Sequence, residues 1–376
     1  MNPILKWAGG KEKELPYILE RIPERINRFI EPFAGGGAVY FNINIKDSFI
    51  NDKSEELIRL YNCVKEGNLA FFQKAEAIYY NFQLLGDISQ RHEEELLKIY
   101  NDYCIDMENE EKNIKIKFKD SVYNFVFRYA DEFNGILSND FNIELDNFLL
   151  EIRKNLESKI QRMHKIERVK VKLCKSDVLA NIECALKSGF YMHFRYLYNE
   201  SIRLDIPVEF QTAIFYFIRE YCYASMFRYN KAGKFNVPYG GISYNRKEFD
   251  KKIKYLKSEK LYKYLSNTEI FCDDFEVFFN KVNPGKSDFI FLDPPYDTEF
   301  STYARNEFTR EDQLRLCHYL KKTKANFMLI IKNTDFIYNI YNEKNFNISS
   351  FNKKYIVSFQ NRNDKNAQHL IIKNYS

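Results

Sequence analysis

Apolar residues follow two rhythms along the chain. Short continuous runs ending in turn residues lie near both ends: RFIEPF at 28–33, SFIND at 48–52, EIFCDDF at 269–275, DFIFLDPPY at 288–296, NFMLIIKN at 326–333, KKYIVSF at 353–359 and AQHLIIKN at 367–374. Runs of this length and composition read as strands, buried where both faces are apolar. Between them the period changes to 3.6. KSEELIRLYNCVKEG at 53–67 predicts a helix ending at Gly67, and AVYFNIN at 38–44 predicts a helix start. TREDQLRLCHYLKKT at 309–323 predicts a helix with Thr309 as N-cap, acids in its first turn and Lys321 and Lys322 at its end. The β-α alternation implies a parallel sheet covered by helices.

The middle of the chain is different. No proline occurs between Pro32 and Pro207, and long amphipathic stretches such as DNFLLEIRKNLESKIQRMHKIERV at 146–169 fit helices. Near the end of this zone MFRYNKAGKFNVPYGGISYN at 226–245 mixes Gly, Asn and Pro with aromatics, the pattern of a loop or β-ribbon. One α/β domain, residues 1–68 and 266–376, is thus expected to be split by a helix-rich insert at 69–265.

With 376 residues and 45% apolar positions the chain can bury a sizeable core. Its net charge of +5 fits neither an acidic disordered protein nor a basic-tail binder. The aromatic share of 17%, with 34 Phe, 28 Tyr and one Trp, reads as an A+T-rich coding bias. No apolar run approaches a bilayer-spanning length of about 18 residues, and the N-terminus has no signal-peptide core. Seven cysteines without close spacing predict a reducing cytosol and neither disulfides nor a structural zinc site. Charge is uneven, however. Between Arg219 and Lys263 there are 12 basic and 4 acidic residues, a local excess of +8 interleaved with aromatics, so the rest of the chain sums to −3. Clustered positive charge of this kind suits phosphate neutralisation, although KKIKYLKSEKLYKYL alone also reads as a solvated helix.

The chemistry concentrates in Asp293-Pro294-Pro295-Tyr296, directly after the strand DFIFL. Two prolines hold the backbone extended and rigid at the carboxyl edge of the sheet, where open α/β sheets bind ligands. The glycines of FIEPFAGGG are contiguous and Tyr40 follows, which disfavours the pyrophosphate turn of a nicotinamide-dependent oxidoreductase. Asp52, at the end of the second strand, suits an acceptor for ribose hydroxyls; the competing reading makes it a helix N-cap.

KWAGGK, FIEPFAGGG and DPPY in this order resemble the S-adenosylmethionine-dependent DNA adenine-N6 methyltransferases of the Dam type. The resemblance spans roughly 1–68 and 266–376 and reaches RYNKAGKFNVPYGG of the insert. It implies a Rossmann-like methyltransferase sheet with a target-recognition insert. It also implies S-adenosylmethionine as cofactor and methyl transfer to the N6 amine of a flipped adenine in double-stranded DNA. Asp293 and the Pro294 carbonyl would accept both amine hydrogens and localise the nitrogen lone pair, with Pro295 stiffening the turn and Tyr296 stacking on the extruded base. Trp7, Ala8, Lys11, Glu31, Phe33, Gly35, Gly37, Asp52, Asp274, Phe275 and Asp293 fall where the family holds its cofactor. For Trp7 the competing reading is a core aromatic, and for FCDDF two adjacent acids leave the register open. A DNA-contacting hairpin near 228–242 would use Arg228, Tyr229, Asn230, Lys231, Lys234, Asn236 and Pro238. Gly241 and Ile242 stand where GATC-specific members carry a basic residue, so GATC specificity is not implied. The setting implied is cytoplasmic, in a bacterium or phage, with a restriction-modification or epigenetic role and, in the former case, a cognate endonuclease. The competing functions are a cytosine-N4 methyltransferase, in which Ser more often takes the first motif position, and a DNA-binding protein with a silent methyltransferase fold. Cytosine-C5 chemistry needs a Pro-Cys pair, which this chain lacks.

Overall fold

The computed structural model describes residues 1–7, 9–296, 308–354 and 366–376. Two compact units emerge. The first comprises Met1–Asn68, Phe227–Gly233 and Leu256–Ser376; the second comprises Leu69–Met226 and Lys234–Tyr255.

The first unit is built on a sheet. Its strands are β1 (Arg28–Glu31), β2 (Asp47–Asn51), β3 (Thr268–Phe271), β4 (Phe289–Leu292), β5 (Asn326–Lys332), β6 (Asn347–Lys354) and β7 (Asn366–Lys373), in the spatial order β3-β2-β1-β4-β5-β7-β6. The first five are mutually parallel, and β7 runs antiparallel to both β5 and β6. The apolar runs become strands because both faces are covered: every residue of β4 is buried, as are Phe327–Ile331 of β5. The sixth strand lies earlier than the run KKYIVSF suggests, at Asn347–Lys354, and 355–359 fall outside the described residues. The covering helices are α1 (Leu15–Leu19), α2 (Glu55–Lys65), α11 (Glu259–Ser266), α12 (Phe275–Val282), α13 (Arg310–Lys322) and α14 (Asp335–Tyr341). Between β1 and β2 only a single 3-10 turn, Tyr40–Asn42, replaces the expected helix. Its rings are committed to tertiary packing, Tyr40 against Tyr264 at 5.1 Å and Phe41 against Tyr61 at 6.3 Å.

β1 and β4 are neighbours, yet the chain leaves β1 for β2 on one side and reaches β5 from β4 on the other. This is the topological switch point, where the loops diverge and leave a crevice at the carboxyl ends. At the opposite, amino ends Arg28 locks the two strands together, donating to Asp288 from Nη2 at 2.5 Å and from Nε at 3.1 Å.

The second unit is helical: α3 (Leu69–Arg91), α4 (Glu93–Glu108), α5 (Ile114–Arg128), α6 (Ala130–Phe141), α7 (Leu145–Val169), α8 (Lys175–Asn199), α9 (Val208–Tyr221) and α10 (Phe249–Leu256). Its core is largely aromatic. Phe82 meets Phe190 at 5.9 Å and Phe217 at 5.6 Å, both edge to face. Such pairs add about 0.5–1.5 kcal/mol each beyond area burial. Gly189 permits the close approach of α7 and α8, since a Cβ there would lie 2.8 Å from the Ile152 Cα. Much of the aromatic excess is therefore core.

Candidate active site

Four strand ends form the edge of the crevice. β1 ends in Glu31, β2 in Asn51 followed by Asp52, β3 precedes Asp273 and Asp274, and β4 runs into Asp293. Asn51, 1% exposed, ties three of them together. Its Nδ2 donates to the carbonyls of Pro32 and Asp273, each at 3.0 Å, and its Oδ1 accepts from the Asp273 N–H at 2.8 Å. No sequence pattern singles out this asparagine, because its partners lie just past the ends of two other strands.

The glycine turn follows Glu31 and Pro32. Gly35 and Gly37 have φ of +50° and +76°, values that side chains rarely tolerate. Space is equally restrictive. A Cβ on Gly35 would sit 2.8 Å from the Trp7 ring, and one on Gly37 would sit 2.6 Å from the Tyr61 hydroxyl. Trp7 is thus half-buried against the turn, and the Tyr61 hydroxyl donates to the Gly35 carbonyl at 3.1 Å. Asp52 Oδ2 accepts from the Gly35 N–H at 3.0 Å and Oδ1 from the Ser54 N–H at 2.9 Å. Ser54, not Asp52, is the N-cap of α2. Asp52 instead braces the turn, and burial raises its carboxyl above the ordinary value against the pull of those N–H groups.

The Asp-Pro-Pro-Tyr segment carries the densest electrostatics. Lys11, 2% exposed, donates from Nζ to Asp293 Oδ2, to the Gly9 carbonyl at 3.0 Å and to the Tyr296 hydroxyl at 3.0 Å. The Tyr296 hydroxyl faces Asp293 Oδ1 at 3.5 Å, and its ring packs edge to face on His369 at 5.3 Å. Lys11 therefore serves the Asp293 carboxylate. Glu31 is close enough to feel the charges of both Asp293 and Lys11. It is 2% exposed, accepts from the Tyr40 N–H, and its Oε2 has no hydrogen-bond partner among the described residues. Burial, reinforced by the Asp293 charge, pushes its carboxyl well above the usual range.

Toward β3, Phe33, Phe275 and Phe308 form a ring cluster with centroids 5.5–5.9 Å apart. Asp274 is committed elsewhere: it caps α12 by accepting from the Glu276 N–H at 3.0 Å and pairs with Arg315 at 2.7 Å. Ala8 lies outside the described residues. Among the described residues no cluster of His, Cys, Asp and Glu could hold a metal ion.

The expected DNA ribbon divides between the units: Arg228, Tyr229, Asn230 and Lys231 belong to the first, Lys234, Asn236 and Pro238 to the second. Asn230 accepts at Oδ1 from the Ala232 N–H at 3.0 Å and at its carbonyl from the Gly233 N–H at 2.9 Å, forming an exposed turn. In the second unit Lys234 pairs with Glu200 at 2.5 Å, and Asn199 brackets Phe235 through both its backbone groups at 2.8 and 3.0 Å. The local +8 is partly consumed by such pairs, for Glu220 takes both Lys247 and Lys252 at 3.0 and 2.6 Å.

Residues 7–142 and 124–357 match the profile of the D12 class N6 adenine-specific DNA methyltransferases. The chain belongs to this family. It is similar to the Type II methyltransferase M.CviBI of Paramecium bursaria Chlorella virus NC1A, 26% identical over 380 residues and 100% of both chains. The Type II methyltransferase M.MjaIII of Methanocaldococcus jannaschii is 26% identical over 394 residues, covering 100% of this chain and 99% of the relative. A DNA adenine methylase of Haemophilus influenzae is 44% identical over 64 residues, 17% of this chain and 22% of the relative. The protein is an adenine-specific DNA methyltransferase with a Rossmann-like sheet. No helix among the described residues is long and apolar enough to cross a membrane.

Proposed function

We propose that this N6 adenine methyltransferase uses S-adenosylmethionine and acts on an adenine extruded from duplex DNA at the Asp293–Tyr296 loop. The observation that carries the reading is the Asp293 carboxylate at the switch-point edge, held by Lys11 and approached by the Tyr296 hydroxyl. The chain's residues fit the cofactor. Glu31 has a buried carboxyl oxygen without a partner among the described residues, which suits the ammonium of a methionine moiety. Asp52 at the strand end suits ribose hydroxyls, and the Phe33, Phe275 and Phe308 rings suit a purine face. When bound, the cofactor supplies an electrophilic methyl group on a sulfonium.

The adenine amine is a weak nucleophile because its lone pair is delocalised into the ring. Asp293 and the Pro294 carbonyl accept its two hydrogens, which returns the lone pair to nitrogen. Lys11 offsets the carboxylate charge, which burial would otherwise penalise, and orients the acceptor oxygen. Tyr296 presents its ring to the base, since an atom inside a duplex cannot be reached without extrusion. Arg228, Tyr229, Asn230 and Lys231 contact the DNA from their exposed turn, and Lys234, Asn236 and Pro238 are further DNA contacts. Residues 69–265 serve target recognition, and the enzyme modifies a site shared with a restriction endonuclease, as the Type II names of its relatives suggest.

The test is transfer of a labelled methyl group from S-adenosylmethionine to duplex DNA, followed by hydrolysis and base analysis. N6-methyladenine is the expected product, and Asp293→Ala is expected to abolish its formation while the protein remains folded. Wild-type turnover by Asp293→Ala would overturn the assignment of the loop.

A further inference from the structure

Gln313 is a polar side chain with no exposure at all, an uncommon state for an amide. It lies in the first turn of α13, and its Nε2 donates to the Pro295 carbonyl at 3.0 Å. The amide orientation follows from the chemistry, because a carbonyl can only accept. Its Oε1 is buried without a partner among the described residues, so the donor is the end of the amide that the described residues engage.

The element presenting Gln313 is braced on two sides. Thr309 and Asp312 form a reciprocal capping box at the start of α13. Asp312 also pairs at 2.7 Å with Arg315, which bonds Asp274 at 2.7 Å and Glu276 at 2.6 Å on α12.

The Pro295 carbonyl is a specific place to hold the loop. Both proline rings fix their φ, and a residue preceding proline is confined to extended ψ. Asp293 and Pro294 each precede a proline. The first soft torsion after Asp293 is therefore ψ of Pro295, and its carbonyl turns with that torsion. A hydrogen bond to that oxygen sets where the Tyr296 ring begins.

We infer that Gln313 is a positioning residue for methyl transfer: through the Pro295 carbonyl it fixes Tyr296 relative to the Asp293 acceptor. This rests on the reading of Asp293–Tyr296 as the adenine-binding loop. The chain with Gln313→Leu keeps the volume and loses the donor. Its single-turnover methyl-transfer rate constant should fall about tenfold, the scale of a small misplacement at a reacting centre, with S-adenosylmethionine and duplex dissociation constants within about twofold of wild type. Gln313→Glu supplies a donor only when protonated. Relative to wild type at the same pH, its rate should recover several-fold as pH is lowered from about 8 to about 6, the range of buried carboxyls; Gln313→Leu should show no such recovery. The recovery is read on Gln313→Glu shown by urea unfolding to be fully folded across that pH range, so that refolding is not its cause, and it remains decisive if Gln313→Leu fails to fold. Wild-type transfer by Gln313→Leu, slowing accounted for by weaker ligand binding, or a Gln313→Glu rate without pH recovery would overturn the inference. Asp293→Ala separates the two readings: if it is inactive while Gln313→Leu is unimpaired, the loop assignment stands and only the role of Gln313 falls.

Discussion

Lys11 and Asp293, 282 positions apart, meet as ammonium and carboxylate at the carboxyl end of β4. The lysine side chain is 3% exposed and the aspartate 18%, so neither charge has much recourse to water. The pair joins the N-terminal segment to the centre of the sheet. It also aims the acceptor that the chemistry requires.

Removing one partner takes the counter-charge from the other at a site largely closed to water. Lys11→Met should lower stability by about 3 kcal/mol and slow methyl transfer by about 100-fold. The double variant Lys11→Met/Asp293→Ala should regain much of the stability, having no unpaired charge, yet remain inactive. Urea unfolding together with labelled transfer checks both halves. A double variant no more stable than Lys11→Met would contradict the pairing argument.

Asp52 braces the glycine turn through two N–H groups. Asp52→Ala should raise the S-adenosylmethionine dissociation constant by about tenfold or more, equivalent to about 1.4 kcal/mol. Asp52→Asn, which retains one acceptor oxygen, should fall between. Titration calorimetry measures this directly, and an unchanged constant in Asp52→Ala would remove Asp52 from the cofactor site.

Gly37 and Gly67 both have positive φ, +76° and +63°, but only Gly37 is crowded. Gly67→Ala should cost about 1 kcal/mol from backbone conformation alone. Gly37→Ala adds a clash with Tyr61 and Phe41 and should cost about 3 kcal/mol or more. Equal losses in thermal unfolding would mean that packing around the turn is not what excludes a side chain.

The buried Glu31 carboxyl makes stability depend on pH. Its folded-state affinity for a proton is raised well above the ordinary value of 4.5, by burial first and the Asp293 charge second. The folded state then holds the proton after the unfolded state has released it. The contribution is complete below pH 4.5 and is lost as pH rises toward the folded value. Glu31→Gln lacks this loss. Its stability relative to wild type should rise as the pH is raised above 4.5, read by urea unfolding. A pH-independent difference would show that Glu31 titrates normally.

DNA affinity should fall steeply with salt, as expected for phosphate contacts. Arg228→Ala and Lys231→Ala should each flatten the slope of log affinity against log salt by about one. An unchanged slope in both would place the DNA elsewhere.

Six of the seven strand-forming runs, all but KKYIVSF, the helix from Thr309 and the Asp-Pro-Pro-Tyr loop were legible in the chain because each depends on local spacing and backbone stiffness. The 3-10 turn at Tyr40–Asn42 was not, since the partners of its aromatic rings, Tyr264 among them, lie far along the chain. The site divides the same way. Asp293, Asp52 and the glycines announce themselves by type and position. The Lys11 ammonium on Asp293, the clamp of Asn51, the commitment of Asp274 to Arg315 and the burial of Gln313 depend on which strand ends and helices become neighbours. By itself the sequence determined the chemistry on offer: a carboxylate before two prolines, a glycine turn and an acid at a strand end. The tertiary structure alone decided which charges are paired, which are buried and which torsions are held, because desolvation and hydrogen-bond geometry arise only when distant segments pack together.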